Sequence, residues 1–279
     1  MVNKYEGRIY SPSKIDLVRE INNAQNPIEV LVSKEGLTLP KSVLVIADGN
    51  GRWAQEHGLP VTEGHRQGAE ALKNILRNFR LLPAINTVVI WALSPDNIKK
   101  RPVEEIRGIM EVMIESLKST EEELVAGNGR FIHLGERAGL HQALLNAIDN
   151  ATTVTANNMG QKVAVAINYD GQQEYLRGIQ RYIEAKKQSG EIDSVISMLP
   201  SDLEKEAMKF IDPEGVGEIE LMIRTGGEKR TSKFGWRING AEHSFPQVFL
   251  PEFGARDLAI SLADFSFRDR RFGGRPNVS

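Results

Sequence analysis

The chain has no cysteine, which excludes disulfides and thiolate sites and suits a reducing, cytoplasmic setting. No apolar run approaches the roughly 18–20 residues needed to span a bilayer. No basic block followed by an apolar one marks a secretory leader near the start, so we expect a soluble protein. Charge of one sign is missing too: 35 Lys and Arg stand against 37 Asp and Glu, a formal net charge of −2. No global field then favours nucleic acid, and positive charge must act locally. Internal repeats and low-complexity tracts are absent. What is present is a 279-residue chain that is 41% hydrophobic, enough to bury a sizeable core.

Residues 1–41 carry Pro12, Pro27 and Pro40 among mixed charges, and we read them as an N-terminal extension with one helix near Lys14–Asn23. From Ser42 to residue 279 short apolar runs alternate with longer amphipathic ones, as in a single α/β domain. The expected strands are Val43–Ala47, Thr87–Leu93, Arg130–Leu134, Lys162–Asn168, Glu218–Ile223 and Gln247–Leu250. Ala69, Leu72, Leu76 and Phe79 fall on one helical face, as do Val103, Ile106, Met110, Met113 and Leu117. Further helices fit Leu140–Thr155, Gln173–Lys187 and Ala255–Asp264, with a short helix and loops over Gln188–Glu218. Repeated strand–helix units imply a mostly parallel sheet flanked by helices, with ligands beyond the carboxyl ends of the strands.

Two such ends carry unusual residues. After Val43–Ala47 comes Asp48-Gly49-Asn50-Gly51-Arg52-Trp53. An acid can hold a divalent cation, glycines let backbone N–H groups approach an anion, and a guanidinium suits phosphate. A helix start just beyond could face the same anion. The plainer reading is a tight turn, since Asp-Gly and Asn-Gly are ordinary turn formers. Against it stands the second run, Arg224-Thr225-Gly226-Gly227-Glu228-Lys229-Arg230-Thr231-Ser232, which also follows an apolar stretch. Two such ends suggest two anionic groups held side by side, one of them a magnesium-bound phosphate or diphosphate. The glycine spacing is neither a Walker loop nor Gly-x-Gly-x-x-Gly.

These residues resemble the cis-prenyltransferases, the undecaprenyl diphosphate synthase type of isoprenyl transferase, from about residue 42 to residue 274. The family's Asp-Gly-Asn-Gly-Arg-Trp-Ala run is Asp48–Ala54, followed by Gly64-His65-Arg66-Gln67-Gly68. Its Ser-x-(Glu/Asp)-Asn segment is Ser94–Asn97, leading to Arg101-Pro102. Its Arg-Thr-Gly-Gly-Glu-x-Arg-x-Ser-x-Phe run is Arg224–Phe234, and its Arg-Arg-Phe-Gly-Gly is Arg270–Gly274. The resemblance implies a six-stranded, mostly parallel sheet with an apolar tunnel, a homodimer, and magnesium-dependent condensation of an allylic diphosphate with isopentenyl diphosphate to a Z-prenyl product.

By the same resemblance, Asp48 orients Mg2+, Gly49, Asn50, Gly51, Arg52 and Trp53 belong to the allylic diphosphate cradle, and Arg101 is a further allylic-site arginine. His65 assists near the diphosphates. Arg224, Arg230 and Ser232 hold isopentenyl diphosphate, Glu242 is a second magnesium ligand, and Asn97 with Ser94 serves proton removal. Each has a plainer rival: His65 as a helix-start residue, Glu242 as a surface acid, Trp53, Met110 and Met113 as packing, Glu121–Glu123 as a solvated face. The chain also departs from the family pattern. Val61 stands where an arginine is usual, Ile98 replaces an aromatic, one extra residue precedes Arg101, and the segment after Phe234 is one residue shorter. Asn168-Tyr169-Asp170-Gly171-Gln172 replaces Asn-Tyr-Gly-Gly-Arg. Val61 and Ile98 suit a specialised short-chain or irregular synthase as an alternative; a third reading is a non-catalytic partner subunit, although such subunits lack parts of the Asp-Gly-Asn-Gly-Arg motif that is intact here. A long product would bring the enzyme to the membrane surface.

Overall fold

A computed structural model describes residues 12–270. The apolar runs form β1 (Ser42–Ile46), β2 (Thr87–Leu93), β3 (Arg130–Leu134), β4 (Lys162–Ile167) and β5 (Leu221–Arg224), with β6 (Glu242–Ser244) at one edge. They build one six-stranded sheet in the order β3-β4-β2-β1-β5-β6, and every neighbouring pair is parallel. β1 is buried along its whole length, as a central parallel strand covered on both faces must be.

The sixth strand differs from the expected Gln247–Leu250. β6 has only three residues, Glu-His-Ser, and so carries no apolar signal; short polar edge strands also resist pairing with other chains. The apolar segment 246–250 serves another purpose. Its carbonyls at Pro246 and Val248 accept from Gly227 and Gly226 (3.0 and 2.8 Å), and Leu250 N–H donates to the Asp48 carbonyl at 3.1 Å. It braces both glycine turns.

The helices are α1 (Pro12–Asn23), α2 (Pro27–Ser33), α3 (Asn50–Glu56), α4 (Val61–Arg80), α5 (Pro95–Lys100), α6 (Val103–Ala126), α7 (Gln142–Val154), α8 (Gly171–Gln188), α9 (Ile192–Ile196), α10 (Pro200–Ile211) and α11 (Ala255–Ser266). Strand alternation sorts them into two layers. Val43, Val45, Val88 and Ile90 face α1, α2, α4 and α11, while on the same side Phe131 and Val163 face α6 and α7. Leu44, Ile46, Val89 and Trp91 face the opposite side, toward Tyr169, Phe234 and Ile238. On the first side the core is therefore two clusters, and the space between α4 and α6 stays unfilled.

The segment 12–33 is part of this core. Leu17, Ile21 and Ile28 are buried with Val43 and Leu258, and Lys14 reaches Asp264 of α11 in a buried ion pair. The chain leaves β1 toward β2 on one side and leaves β5 toward β6 on the other. Parallel sheets open a ligand crevice where the winding direction changes, here between the carboxyl ends of β1 and β5.

Candidate active site

Pairing Ile46 with Arg224 puts the residue just beyond β1 beside the last residue of β5. Asp48 Oδ2 accepts from Arg224 Nη2 at 2.8 Å and Nε at 3.2 Å. Asp48 Oδ1 accepts from Gly49 N–H at 2.7 Å and from Arg52 Nη2 at 3.2 Å. Arg224 Nη1 continues the chain to Ser232 Oγ (2.8 Å) and the Arg230 carbonyl (2.6 Å). The Arg224 side chain is only 5% exposed, so its charge depends on these partners. The two glycine–arginine runs are thus one site joined through an ion pair.

The turns themselves are fixed. Gly49 has φ +103°, and a Cβ there would lie 2.6 Å from the Phe249 ring; at Gly226, φ +81°, it would meet Arg52 Nη2 at 2.7 Å. Arg52 lies over Phe249 with 5.1 Å to the ring centroid and donates from Nη1 to the Gly226 carbonyl at 2.9 Å. The buried Thr225 hydroxyl donates to the Asp48 carbonyl (2.7 Å) and accepts from Asp48 N–H (3.0 Å).

His65, near the start of α4, sits between Asn50 and Glu105. Asn50 Nδ2 is 3.3 Å from His65 Nδ1, and His65 Nε2 is 3.5 Å from Glu105 Oε1. With the amide as donor, Nδ1 would be the acceptor and the ring proton would sit on Nε2, on the side of Glu105. Burial, then the charge of nearby Arg101, holds the imidazole below its usual pKa against the pull of Glu105, so it is neutral at pH 7. Glu105 also takes Arg101 Nη1 at 3.0 Å. Glycines flank the histidine because Asn50 crowds that face of α4: a Cβ at Gly64 would lie 2.1 Å from the Asn50 carbonyl oxygen and one at Gly68 2.3 Å from its Oδ1.

Ser94 caps α5 in a capping box, accepting Asn97 N–H at 3.1 Å while Ser94 N–H donates to Asn97 Oδ1 at 3.2 Å. Asp48, Asn50, His65, Ser94, Asn97, Arg101, Arg224, Arg230 and Ser232 all line one polar cavity of about 450 Å³. Ala47, Asn50, His65 and Ala92 also border the apolar space between α4 and α6, so the two compartments adjoin.

A prenyltransferase family model described as undecaprenyl diphosphate synthase matches residues 46–273. The chain belongs to this prenyltransferase family. It is 34% identical to an isoprenyl transferase of Clostridium perfringens, over 85% of this chain and 90% of that one. It is 35% identical to the ditrans,polycis-undecaprenyl-diphosphate synthase ((2E,6E)-farnesyl-diphosphate specific) of Vibrio cholerae, over 84% of this chain and 91% of that one. The crystal structure of lavandulyl diphosphate synthase from Lavandula x intermedia in complex with dimethylallyl diphosphate superposes with a TM-score of 0.75 at 30% identity, covering 84% of this chain and 98% of that one. A probable undecaprenyl diphosphate synthase from Campylobacter jejuni, 24% identical, shares the fold with a TM-score of 0.67, covering 85% of this chain and all of that one.

In this prenyltransferase five of the expected site residues do not line the polar cavity: Gly49, Gly51 and Arg52, which belong to the turn after β1, and Trp53 and Glu242. Trp53 turns away from the cavity, stacking on His57 at 4.2 Å and donating Nε1 to Glu252 at 3.0 Å. Glu242 pairs in register with Leu221, three residues before Arg224, and its carboxylate takes Arg268 Nη1 at 2.8 Å. It stands at the amino end of β6, so within this chain the strand register sets it apart from Asp48. Of the C-terminal run Arg270–Gly274, only Arg270 lies within the described residues; it approaches Glu220 at 3.4 Å.

Several residues were missed. Thr225 and Glu105 carry signals only in hindsight, the first inside the glycine run and the second four residues after Arg101. Arg237, Glu174 and Asp212 gave none. Arg237 is fully buried, donating from Nε and Nη2 to Glu174 (3.0 and 2.9 Å), from Nη2 to Asp212 (3.0 Å) and from Nη1 to the Gly217 carbonyl (3.0 Å). Tyr169, which lines the cavity, donates its hydroxyl to Glu174 at 2.8 Å. Through Tyr169 this network reaches the cavity wall.

The apolar compartment is walled by Leu72 and Leu76 of α4 and by Ile109, Met113 and Leu117 of α6, over a floor of Ile90, Phe131 and Val163. Met113 lines it, whereas Met110 is core. Leu124, with Leu76, Thr120 and Val163, also borders a small second cavity that reaches Gly127 and Gly129.

Proposed function

We propose that this prenyltransferase condenses isopentenyl diphosphate with an allylic diphosphate, with Mg2+, to give a Z-prenyl diphosphate. The observation that carries the reading is the arginine-lined cavity opening directly onto an apolar channel: one compartment suits two diphosphates, the other a hydrocarbon tail. Among the described residues no group of three or more His, Cys, Asp or Glu could form a protein-only metal cage. Magnesium does not need one, because it commonly takes one or two carboxylates and completes its shell with substrate phosphates and water. Asp48 fits that habit. Bound there, the ion would stabilise charge on the departing diphosphate.

All four lone-pair positions of Asp48 are engaged by Gly49, Arg52 and Arg224. Arg52 is the partner able to yield, being 43% exposed and on the longer contact to Oδ1, and it would turn to the allylic phosphate. Arg224 is buried and doubly bonded and stays. The allylic C–O bond breaks with both electrons leaving on diphosphate, and arginines lower the barrier to the extent that they hold that leaving group better as its charge grows. The alkene of isopentenyl diphosphate, held by Arg224, Arg230 and Ser232, attacks the allylic carbon, and the resulting cation loses a proton. Asn97 Oδ1 is committed to the cap of α5, so this side chain is no base. Its amide NH2 can orient a released diphosphate oxygen to take the proton.

Val61 supports a second reading, a specialised short-chain synthase. This residue, 40% exposed beside Gly51, supplies no guanidinium to the allylic side. A homodimer and a cytoplasmic enzyme that meets the membrane surface to release product belong to the proposal by family; among the described residues no helix is long and apolar enough to cross a membrane. Incorporation of radiolabelled isopentenyl diphosphate with dimethylallyl, geranyl and farnesyl diphosphate as separate primers, followed by product mass, tests the proposal. A magnesium-dependent ladder ending at one length supports it, a single short product supports the second reading, and no product with any primer refutes both.

A further inference from the structure

Two of the departures from the family's pattern, Asp170 and the lengthened segment before Arg101, border the same polar cavity. Asp170 stands where the family has glycine, and the extra residue before Arg101 lengthens the segment that forms α5. Asp170 caps α8, its Oδ1 accepting Gln172 and Gln173 N–H at 3.0 and 3.1 Å. Its other oxygen is 3.9 Å from Lys233 Nζ, and the same ammonium is 3.8 Å from Asp96 Oδ2 on α5. Asp96 Oδ2 also takes Lys100 Nζ at 3.1 Å.

The two ends of this bridge differ in rigidity. On the acceptor side Lys233 follows Ser232, which holds a left-handed backbone at φ +53°, and precedes Phe234, fully buried against Trp91 and Tyr169. The Lys233 carbonyl accepts Gly171 N–H at 2.9 Å, and a Cβ on Gly171 would lie 1.9 Å from the Phe234 carbonyl oxygen, so the loop is clamped to the start of α8. On the other side α5 is a helix of six residues with none buried. It carries Asn97 and is capped by Ser94, and both line the cavity together with Arg230 and Ser232.

The geometry points to Lys233 as a positioning residue: by bridging Asp96 and Asp170 it ties α5 to the acceptor loop and sets where Asn97 stands relative to the acceptor diphosphate. This role rests on the prenyl-transfer reading given above. Lys233 and Asp96 are 63% and 45% exposed, and an exposed ion pair contributes little to global stability. Its effect should therefore show in placement of α5 rather than in the melting temperature.

The test uses the full-length protein with K233M, K233R, D96N and the K233M/D96N pair. Amide hydrogen exchange over residues 95–101 is read first, because it needs no turnover. K233M and D96N are expected to speed exchange there severalfold, with K233R close to wild type and melting unchanged. In the incorporation assay K233M should lower kcat about tenfold with little change in KM for the allylic substrate, since misplacing a group in the reacting assembly is costly. The K233M/D96N pair should be no worse than the worse single change. Unchanged exchange over 95–101 overturns the proposal, and so does faster exchange with unchanged kcat in an active enzyme. An inactive wild type whose α5 exchange still responds would sink the transferase reading while leaving the tether in place.

Discussion

Replacing Arg237 with methionine keeps an unbranched apolar stem in a fully buried position and removes the guanidinium with its charge. Glu174 and Asp212, now bridged by one guanidinium, would then share a buried site with no cation between them. Breaking a buried pair by deleting one partner costs about 3–5 kcal/mol. Glu174 keeps donors from Tyr169 and Trp236, and Asp212 keeps the N–H groups of Val216 and Gly217, which places the expected loss at about 3 kcal/mol, the lower end of that range. At roughly 2–4 °C per kcal/mol for a chain of this size, the melting temperature should fall by about 6–12 °C. The pH dependence gives a second reading. Burial raises the Asp212 pKa, but the charge and hydrogen bonds of Arg237 outweigh it and hold the group below the usual carboxylate range. In the wild type that stability is present above the unfolded pKa and lost as pH falls through the folded one. In R237M burial remains without the guanidinium, so the folded pKa rises and acid favours the folded variant. Thermal melts of both proteins between about pH 8 and about pH 5 should show the gap narrowing in acid. A loss below about 1 kcal/mol, or a gap that widens in acid, would refute the reasoning. The double change E174M/R237M should recover part of the loss, since apolar replacement of a whole buried pair is often neutral.

Asp48→Asn should lower isopentenyl incorporation by at least about 10²-fold, the size typical of losing one electrostatic contact to the reacting group; an unchanged circular dichroism spectrum with undiminished turnover would contradict this role. Leu124→Ala joins the channel to the small cavity beyond it and should lengthen the product by one or more isoprene units. Deleting those buried atoms should also cost about 2–5 kcal/mol, readable by denaturant unfolding. Val61→Arg restores a guanidinium beside the Gly49–Arg52 turn and should lower KM for the allylic diphosphate about tenfold, equivalent to one charge-assisted hydrogen bond. A KM that does not move would mean that Val61 lies out of reach of the phosphate.

The sequence made five strands legible because each is a short, largely apolar run between turn residues, and it located both glycine turns because their chemistry is dense and local. It hid β6, whose three polar residues give no period-two signal, and misassigned the apolar segment 246–250, whose backbone braces the site rather than a sheet. Arg237 was illegible for a different reason. A lone arginine with no nearby acid in sequence reads as surface, and its partners Glu174 and Asp212 lie 63 and 25 positions away. Glu242 agrees with the family pattern in residue type, and its place beside Leu221, three residues before Arg224, is set by a strand register that no motif displays.

Both compartments follow from how the sheet is wound. Because the chain runs outward from β1 on one side and from β5 on the other, the polar groups that follow those strands meet in an open crevice. Asp48 and Arg224 come from opposite sides of that join, so their ion pair requires the register Ile46–Arg224. Sliding one strand against the other by a single residue would reverse the faces of the side chains and separate the pair. The channel depends on the same winding. α4 follows β1 and α6 follows β2, so both helices lie on one face, and each packs its own hydrophobic cluster onto the sheet. The gap left between them ends at Asn50 and His65, which also border the crevice. A hydrocarbon tail lying in that gap can therefore present its charged end to the Asp48–Arg224 pair without any rearrangement of the sheet.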